Sequence, residues 1–218
     1  MASIYRGFPT LNEEIRAWRG GHRHVAGVDE AGRGPMAGPV VAAAVILDPQ
    51  FAAAWWCELR DSKQLTARRR EELGRRLRES AAFGVGSASH EEIDSLGLLE
   101  ATRQAMLRAL AALPCRPDLL LIDAVKLPGH DGWAQRSIIH GDALVVSVAA
   151  ASVLAKVERD RLMDEYDGSY PLYGFSHNRG YCTAGHLRAL SEHGPSPIHR
   201  RSFAPVRALL ERQQELGI

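Results

Sequence analysis

VAGVDEAGRGPMAGPVVAAAVIL (25–47) carries two apolar runs on either side of a carboxylate pair and a glycine- and proline-rich turn. His24–Asp29 reads as a first strand and Val40–Leu47 as a second, strongly apolar one. The link between them, AGRGPMAGP (31–39), is so short that the two strands are predicted to be antiparallel neighbours. In a continuing strand, Glu30 would point to the sheet face opposite to Asp29. The expectation is therefore that the strand ends or bulges at this pair, and Ala-Gly-Arg-Gly-Pro favours such an ending. Gly32, Gly34 and Gly38 do not form a dinucleotide fingerprint. Their spacing is wrong, Pro35 interrupts, and a strand follows where a helix is required. What remains is a turn whose backbone a ligand can approach closely.

Downstream, Thr66 is the predicted N-cap of a helix over 67–79, with Arg69 standing where a capping box would carry Glu. Ala81–Ser89 reads as a third strand. Ile93, Leu96, Leu99, Met106, Leu110 and Leu113 recur at helical spacing and predict one long helix over Glu91–Leu113, ended by Pro114 and Pro117. DLLLID (118–123) has the pattern of a central strand buried on both faces and closing in a carboxylate. Ser137–His140 reads as a fifth strand, and Asp142 stands just before a long helix over roughly 143–166. Two helices near 183–192 and 204–215 flank the basic loop HGPSPIHRRSF (193–203). Three strands in a run, then strand and helix alternating, predict an α/β fold: a mixed five-stranded sheet flanked by helices, the first three strands an antiparallel meander and the later ones parallel. Residues 1–23 read as a leader with a short surface helix, and 24–218 as one domain with a small C-terminal helical region from about 170.

The 218 residues are 45% hydrophobic, enough for one compact core. With a net charge of +1, any nucleic-acid site must come from a local basic patch. Of 27 basic residues only Lys63, Lys126 and Lys156 are lysines, and an ammonium differs from a guanidinium in hydration and shape. The three cysteines, Cys57, Cys115 and Cys182, form no CxxC pair, which argues against a disulfide framework and for a reducing, cytoplasmic setting. Residues 1–24 lack a signal pattern, and the longest apolar stretch, Ala143–Ala155, is too short to span a bilayer, so no membrane role is expected.

Four carboxylates stand at element ends: Asp29, Glu30, Asp123 and Asp142. Each has a plain alternative, since Asp commonly caps a helix or opens a turn. Gathered together, however, like charges resist joint ionisation, and divalent cations remove that penalty. All-oxygen ligands suit Mg²⁺ and Mn²⁺, and two such ions can activate a water and stabilise the leaving oxygen of a phosphodiester. Zinc is disfavoured, because Cys182 and His186 share helical spacing but lack a third ligand.

Val28-Asp29-Glu30-Ala31-Gly32-Arg33-Gly34-Pro35 resembles the signature of bacterial ribonuclease HII. The resemblance continues through Asp61-Ser62-Lys63-Gln64-Leu65, Leu121-Ile122-Asp123, GDALVVSVAAASVLAKVERD (141–160), GYCTAGH (180–186) and HGPSPIHRRSF (193–203), covering roughly 24–206. It implies a ribonuclease-H-like fold, hydrolysis of the RNA strand in RNA–DNA hybrids, and incision 5′ to a single ribonucleotide in duplex DNA. By resemblance, Asp29, Glu30, Asp123 and Asp142 are the metal-binding carboxylates for Mn²⁺ or Mg²⁺. Gly32, Arg33 and Gly34 meet the ribose 2′-hydroxyl, and Tyr181 packs on the neighbouring deoxyribose. His140 and Arg179 stand where lysine is common, and Cys182 where glycine is frequent. Related ribonuclease HIII proteins carry an added N-terminal domain, for which the leader leaves no room.

Further roles are expected around this centre. Ser62 and Lys63, and His199, Arg200 and Arg201 in the late loop, are candidate phosphate contacts, although loop charges often do no more than face solvent. At 100° per residue, Asp142, Ala149, Lys156 and Asp160 share about one quarter of the long helix, with Ser152 at its margin, and Lys156 and Asp160 form an i,i+4 pair. The enzyme is expected to be a monomer. Two rival readings remain: a resolvase- or transposase-type nuclease of the same fold, and a non-catalytic nucleic-acid-binding module.

Overall fold

The computed structural model of the chain describes residues 8–48, 54–128 and 132–216. Helix α1 (Asn12–Arg19) precedes strands β1 (Val25–Ala31) and β2 (Val40–Ile46). Two 3₁₀ turns, Ala54–Glu58 and Ser62–Gln64, lead to α2 (Ala67–Ser80) and β3 (Ala82–Ala88). Then come α3 (His90–Leu96), α4 (Leu98–Ala111), β4 (Leu119–Asp123), β5 (Ala134–Ile138), α5 (Gly141–Leu144) and α6 (Val146–Ser169). A 3₁₀ turn and α7 (Phe175–Asn178), α8 (Ala184–His193) and α9 (Ala204–Leu216) complete the chain.

The strands form one sheet in the order β3-β2-β1-β4-β5. β1 pairs antiparallel with β2, and β2 with β3, whereas β1–β4 and β4–β5 are parallel. This is the mixed sheet read from the sequence. Period-two alternation divides its side chains between two cores. Ala26, Val28, Ala42, Ala44, Leu120 and Ile122 pack with Ala101, Ala105, Met106 and Ala109 of α4. On the opposite face, Ala43 and Val45 pack with Leu73 and Leu77 of α2 and with α6. β2 is buried along its whole length, and so are the first ten residues of α6, Val146 to Ala155. Small residues let α6 lie against β1: a Cβ at Gly27 would come within 2.1 Å of the Ser147 carbonyl carbon.

The structure departs from the sequence reading at two helices. The run predicted as one helix over 91–113 is broken at Gly97, whose φ of +80° is outside the helical region. α3 is closed at its start by a capping box, Ser89 with Glu92. The helix predicted over 143–166 is likewise divided. Val145 is extended (φ −124°, ψ 124°), so α5 and α6 are separate, and Asp142 lies inside the short α5 rather than capping the long helix. Asp142 therefore does not belong to the face of α6 that carries Ala149, Lys156 and Asp160. Thr66 does cap α2, its hydroxyl accepting from the Arg69 N–H at 3.3 Å.

The C-terminal helices are sewn to the turn after β1. Ala37 bridges His199, and Gly38 N–H donates to Ile198 O and Arg200 N–H to Met36 O, both at 2.9 Å. Ala37 packs with Met163, Tyr173, Phe175, Ala189 and Ile198, while Met36 packs with Leu190 and Val206.

Candidate active site

Asp29 and Asp123 lie near the C-terminal ends of two adjacent parallel strands, and α5 brings Asp142 beside them. In open α/β sheets this end holds the ligand crevice. β1 pairs with β4 only from Val25 to Val28, opposite Leu119 to Ile122, so the strands part where the carboxylates begin. β1 does not end at Glu30 as expected. It keeps its register with β2 through Glu30↔Ala42 and Ala31↔Val41. Alternation alone would put Glu30 on the face opposite Asp29. The missing β4 neighbour leaves it open to the crevice, where it senses both Asp123 and Lys63.

The four acids act on one another. Burial, then the Glu30, Asp123 and Asp142 charges, hold Asp29 well above the usual carboxylate range, with the nearby Ser152 hydroxyl working in the lowering direction. Burial, with Asp61 and Asp123 adding to it, pushes Asp142 up to about 6. Burial also raises Asp123, against the Gly141 N–H that donates to its Oδ1 at 2.8 Å and against Lys63. Glu30 is raised by burial and eased by Arg33, whose guanidinium lies 3.4 Å from its Oε1. Its second oxygen, Oε2, is buried without a hydrogen-bond partner among the described residues. Lys63 is the nearby cation, with Nζ 3.6 Å from Asp142 Oδ2 and 3.8 Å from Asp61 Oδ1. The attraction of Asp61, Asp142, Asp29 and Asp123 outweighs its partial desolvation and raises its pKa.

Asp61 is a site neighbour that sequence reasoning passed over, though it stands in the quoted DSKQL. Its carboxylate accepts from the Lys63 N–H at 3.0 Å and caps the 3₁₀ turn Ser62–Gln64. An Asp two residues before the recurrent Lys was the available signal. Ser62 is buried and its hydroxyl accepts from Ser152 Oγ at 3.0 Å, linking that turn to α6.

Among the described residues, no three His, Cys, Asp or Glu side chains are closed around a common point as a finished ligand shell. Mutual repulsion accounts for the spread, since like charges approach only when a cation lies between them. The donor set nevertheless fits hard divalent ions. It is all oxygen, one member is buried among three like charges, and another has an orphan oxygen. His186 and Cys182 make no such centre. Cys182 is exposed, and the His186 ring is committed to Tyr181 and His199.

The glycine turn is built differently. Gly32 has φ +99°, and a Cβ there would come 2.1 Å from the Arg159 Nε. Two fully buried guanidiniums spend their hydrogen bonds on backbone carbonyls, all but one of them in this turn. Arg159 donates to Pro39 O (3.1 Å), Ala37 O (3.2 Å) and Arg179 O (3.0 Å). Arg200 donates to Gly32 O (2.6 Å), Gly38 O (2.9 Å) and Arg33 O (3.1 Å). Burial lowers both, Arg159 to about 10 and Arg200 to about 9, so both remain charged at neutral pH.

The assignment of Arg200 and His199 to phosphate contacts is therefore corrected. Arg200 is 0% exposed and His199 1%, out of a phosphate's reach. The basic look of HRRSF misled because its first two members face inward. Ser196 N–H donates to His199 Nδ1 (2.9 Å), His199 Nε2 meets His186 Nε2 (3.0 Å), and His186 Nδ1 meets Tyr181 O (2.9 Å). One tautomer pair satisfies all three, with His199 donating to His186 and His186 to the Tyr181 carbonyl. Burial holds both rings below the usual range, His199 at about 4, so the relay stays neutral and anchors Tyr181.

Tyr181 itself is 46% exposed, and its Cε1 lies 3.5 Å from where a Gly34 Cβ would stand. A cavity of about 180 Å³ runs between them, lined in part by Glu30, Arg33, Lys63, Lys156 and Tyr181. Lys156 pairs with Asp160 at 2.5 Å as expected, and Asp160 also draws Arg70 (3.7 Å) and Arg179 (3.8 Å). No helix among the described residues is long and apolar enough to cross a membrane.

The family model described as ribonuclease HII matches residues 26–206. A ribonuclease HII of Desulfitobacterium hafniense is 54% identical over 202 residues, covering 92% of this chain and 76% of that protein. In structure, the chain is similar to ribonuclease H2 from Pyrococcus horikoshii, with TM-score 0.74, 28% identity, and 88% of this chain and 99% of that one covered. It is also similar to the ribonuclease HII solved in a PCNA complex from Archaeoglobus fulgidus, with TM-score 0.68, 25% identity, and 84% and 96% covered. The sheet is of the ribonuclease-H-like kind.

Proposed function

The chain belongs to the ribonuclease HII family, and from that premise we propose that it incises duplex DNA 5′ to a single embedded ribonucleotide, as well as RNA in hybrids, using two divalent ions. Membership makes it a type 2 ribonuclease H, an endonuclease acting on the RNA of RNA–DNA hybrids. The observation that carries the metal reading is Asp29, fully buried beside three other carboxylates.

Asp29, Glu30, Asp123 and Asp142 would hold Mn²⁺ or Mg²⁺. When bound, such ions lower the pKa of an attacking water and stabilise the leaving oxygen, giving 3′-hydroxyl and 5′-phosphate ends. The chain's own groups prepare that chemistry. Ser152, hydrogen-bonded to Ser62, stands beside Asp29, and the Gly141 N–H holds Asp123. Lys63, with an exposed side chain beside Asp142, is free to turn to a phosphate once another cation serves the carboxylates.

Selectivity rests on the 2′-hydroxyl, the one group distinguishing the two sugars. Arg200 takes the carbonyls of Gly32 and Arg33 and so fixes the turn that would present the Gly32–Gly34 backbone to that hydroxyl. Tyr181, anchored through its own carbonyl, offers a flat face to a neighbouring deoxyribose. Arg33, paired with Glu30, lines the same cavity.

The test is cleavage of a duplex containing one ribonucleotide, with Mn²⁺ or Mg²⁺ and with chelator. Cleavage 5′ to the ribonucleotide, abolished by chelator and by Asp29→Asn, is expected. An intact ribonucleotide duplex alongside cut junction DNA would install the resolvase reading. Metal-independent binding without products would install the non-catalytic one.

A further inference from the structure

The polar segment before β1 reaches the site from behind. Residue 10 adds a short parallel bridge to Val145, the residue dividing α5 from α6. Thr10 N–H donates to Leu144 O at 3.0 Å, and Thr10 O accepts from Val146 N–H at 3.3 Å. One turn later, Glu14 of α1 is 0% exposed, and its Oε1 accepts the Ser147 N–H at 2.7 Å across 133 residues of chain. α6 has no side-chain cap of its own, because its N-cap residue is Val145. Glu14 does that work from a distance, supplying a carboxylate oxygen to the Ser147 N–H in the first turn.

These contacts hold a particular joint. Asp142 sits in α5, a helix of 4 residues that cannot hold its place unaided. Leu144 O, tied to Thr10, lies two residues after it. Ser147, tied to Glu14, packs with its backbone against Gly27, two residues before Asp29 on β1. The leader therefore fixes the only covalent link between the β1 carboxylates' supporting helix and the turn bearing Asp142.

We propose that Thr10 and Glu14 are positioning residues that set the distance of Asp142 from Asp29 and Asp123, and so set metal affinity. The proposal rests on the reading of Asp142 as a metal ligand. It departs from the view of residues 1–23 as an appendage, since Thr10 and Glu14 brace the site from behind.

Mn²⁺ titration of the full chain by calorimetry, with kcat and KM at saturating Mn²⁺, tests it in Glu14→Ala, Glu14→Gln and Thr10→Pro. Glu14→Ala should weaken Mn²⁺ binding by about 10-fold, as loss of outer-shell support does, and lower kcat with KM for the duplex unchanged. Glu14→Gln keeps an acceptor oxygen and should restore most of the affinity. Thr10→Pro removes the N–H donated to Leu144 and should weaken Mn²⁺ binding in the same direction. If Glu14→Ala yields no folded protein, Thr10→Pro decides by the same readout. Unchanged Mn²⁺ affinity and kcat in a variant of lowered Tm would leave the clamp a stability device only and overturn the proposal. Failure of the unsubstituted protein to bind Mn²⁺ would overturn the metal reading along with it.

Discussion

Two neighbouring regions, the carboxylate crevice and the glycine turn, bury charge in opposite ways. In the crevice, Asp29 is buried among Glu30, Asp123 and Asp142, with Lys63 beside Asp142, and the carboxyls are pushed upward. Under the turn, Arg159 and Arg200 are buried without a carboxylate in ion-pair contact among the described residues, yet their donors are spent on backbone carbonyls. The turn is complete as it stands. The crevice becomes complete only when further positive charge enters. A preorganised reader beside an unfinished electrostatic centre suits an enzyme that must recognise its substrate and its ions separately.

Asp29→Asn probes the crevice most severely. It should reduce kcat on the order of 10³-fold, since a metal-supported step is worth several kcal/mol. The same change should raise the metal-free Tm, because it removes one member of a repelling set. Calorimetric melting beside single-turnover cleavage reads both, and a lowered metal-free Tm would break the contrast.

Arg200→Met tests the other side. Three carbonyls lose their donor, a loss of about 3 kcal/mol and a Tm lower by roughly 6–12 °C. Cleavage should fall about 100-fold through the misplaced turn. Arg200→Lys should not rescue, since one ammonium cannot span the fork. A variant that melts lower but cuts normally would detach the turn from the reaction.

Tyr181→Ala sharpens the division of labour. It should cost about 10-fold on a single-ribonucleotide duplex and less on a continuous hybrid, where no deoxyribose follows the cut. Equal losses on both substrates would assign Tyr181 to general binding.

The smallest effect concerns pH. Asp142 is raised to about 6 in the metal-free fold, so its contribution to stability is present at low pH and is lost as pH rises through 6. Protons also compete with metal below that value. The rise in Tm on adding Mn²⁺ should therefore grow between pH 5 and 7, and a flat response would deny that these carboxyls receive the ion.

Much of this was legible beforehand for physical reasons. Short continuous apolar runs bounded by turn signals, such as LLLID and VVAAAVI, read as buried strands, and acids closing such runs fall at strand ends. What escaped depended on direction rather than composition. Gly97 interrupts an unbroken helical spacing, and only its positive φ reveals the break. Val145 divides two helices although its side chain gives no signal, because the stop comes from Thr10 far away in sequence. Glu14 in NEEIRAWR and Arg200 in HRRSF look like surface charge, and their burial follows from backbone partners that no local pattern announces.

α6 carries one further implication. Its Ser147 meets Glu14, Ser152 meets Ser62, Arg159 meets Pro39 and Met163 meets Ala37. A helix is a fixed-pitch rail, advancing about 1.5 Å and 100° with each residue. Inserting a single residue between Ser152 and Arg159 would swing every later contact by more than a quarter turn. The spacing between the carboxylate crevice and the glycine turn is thus fixed by the number of residues along this rail.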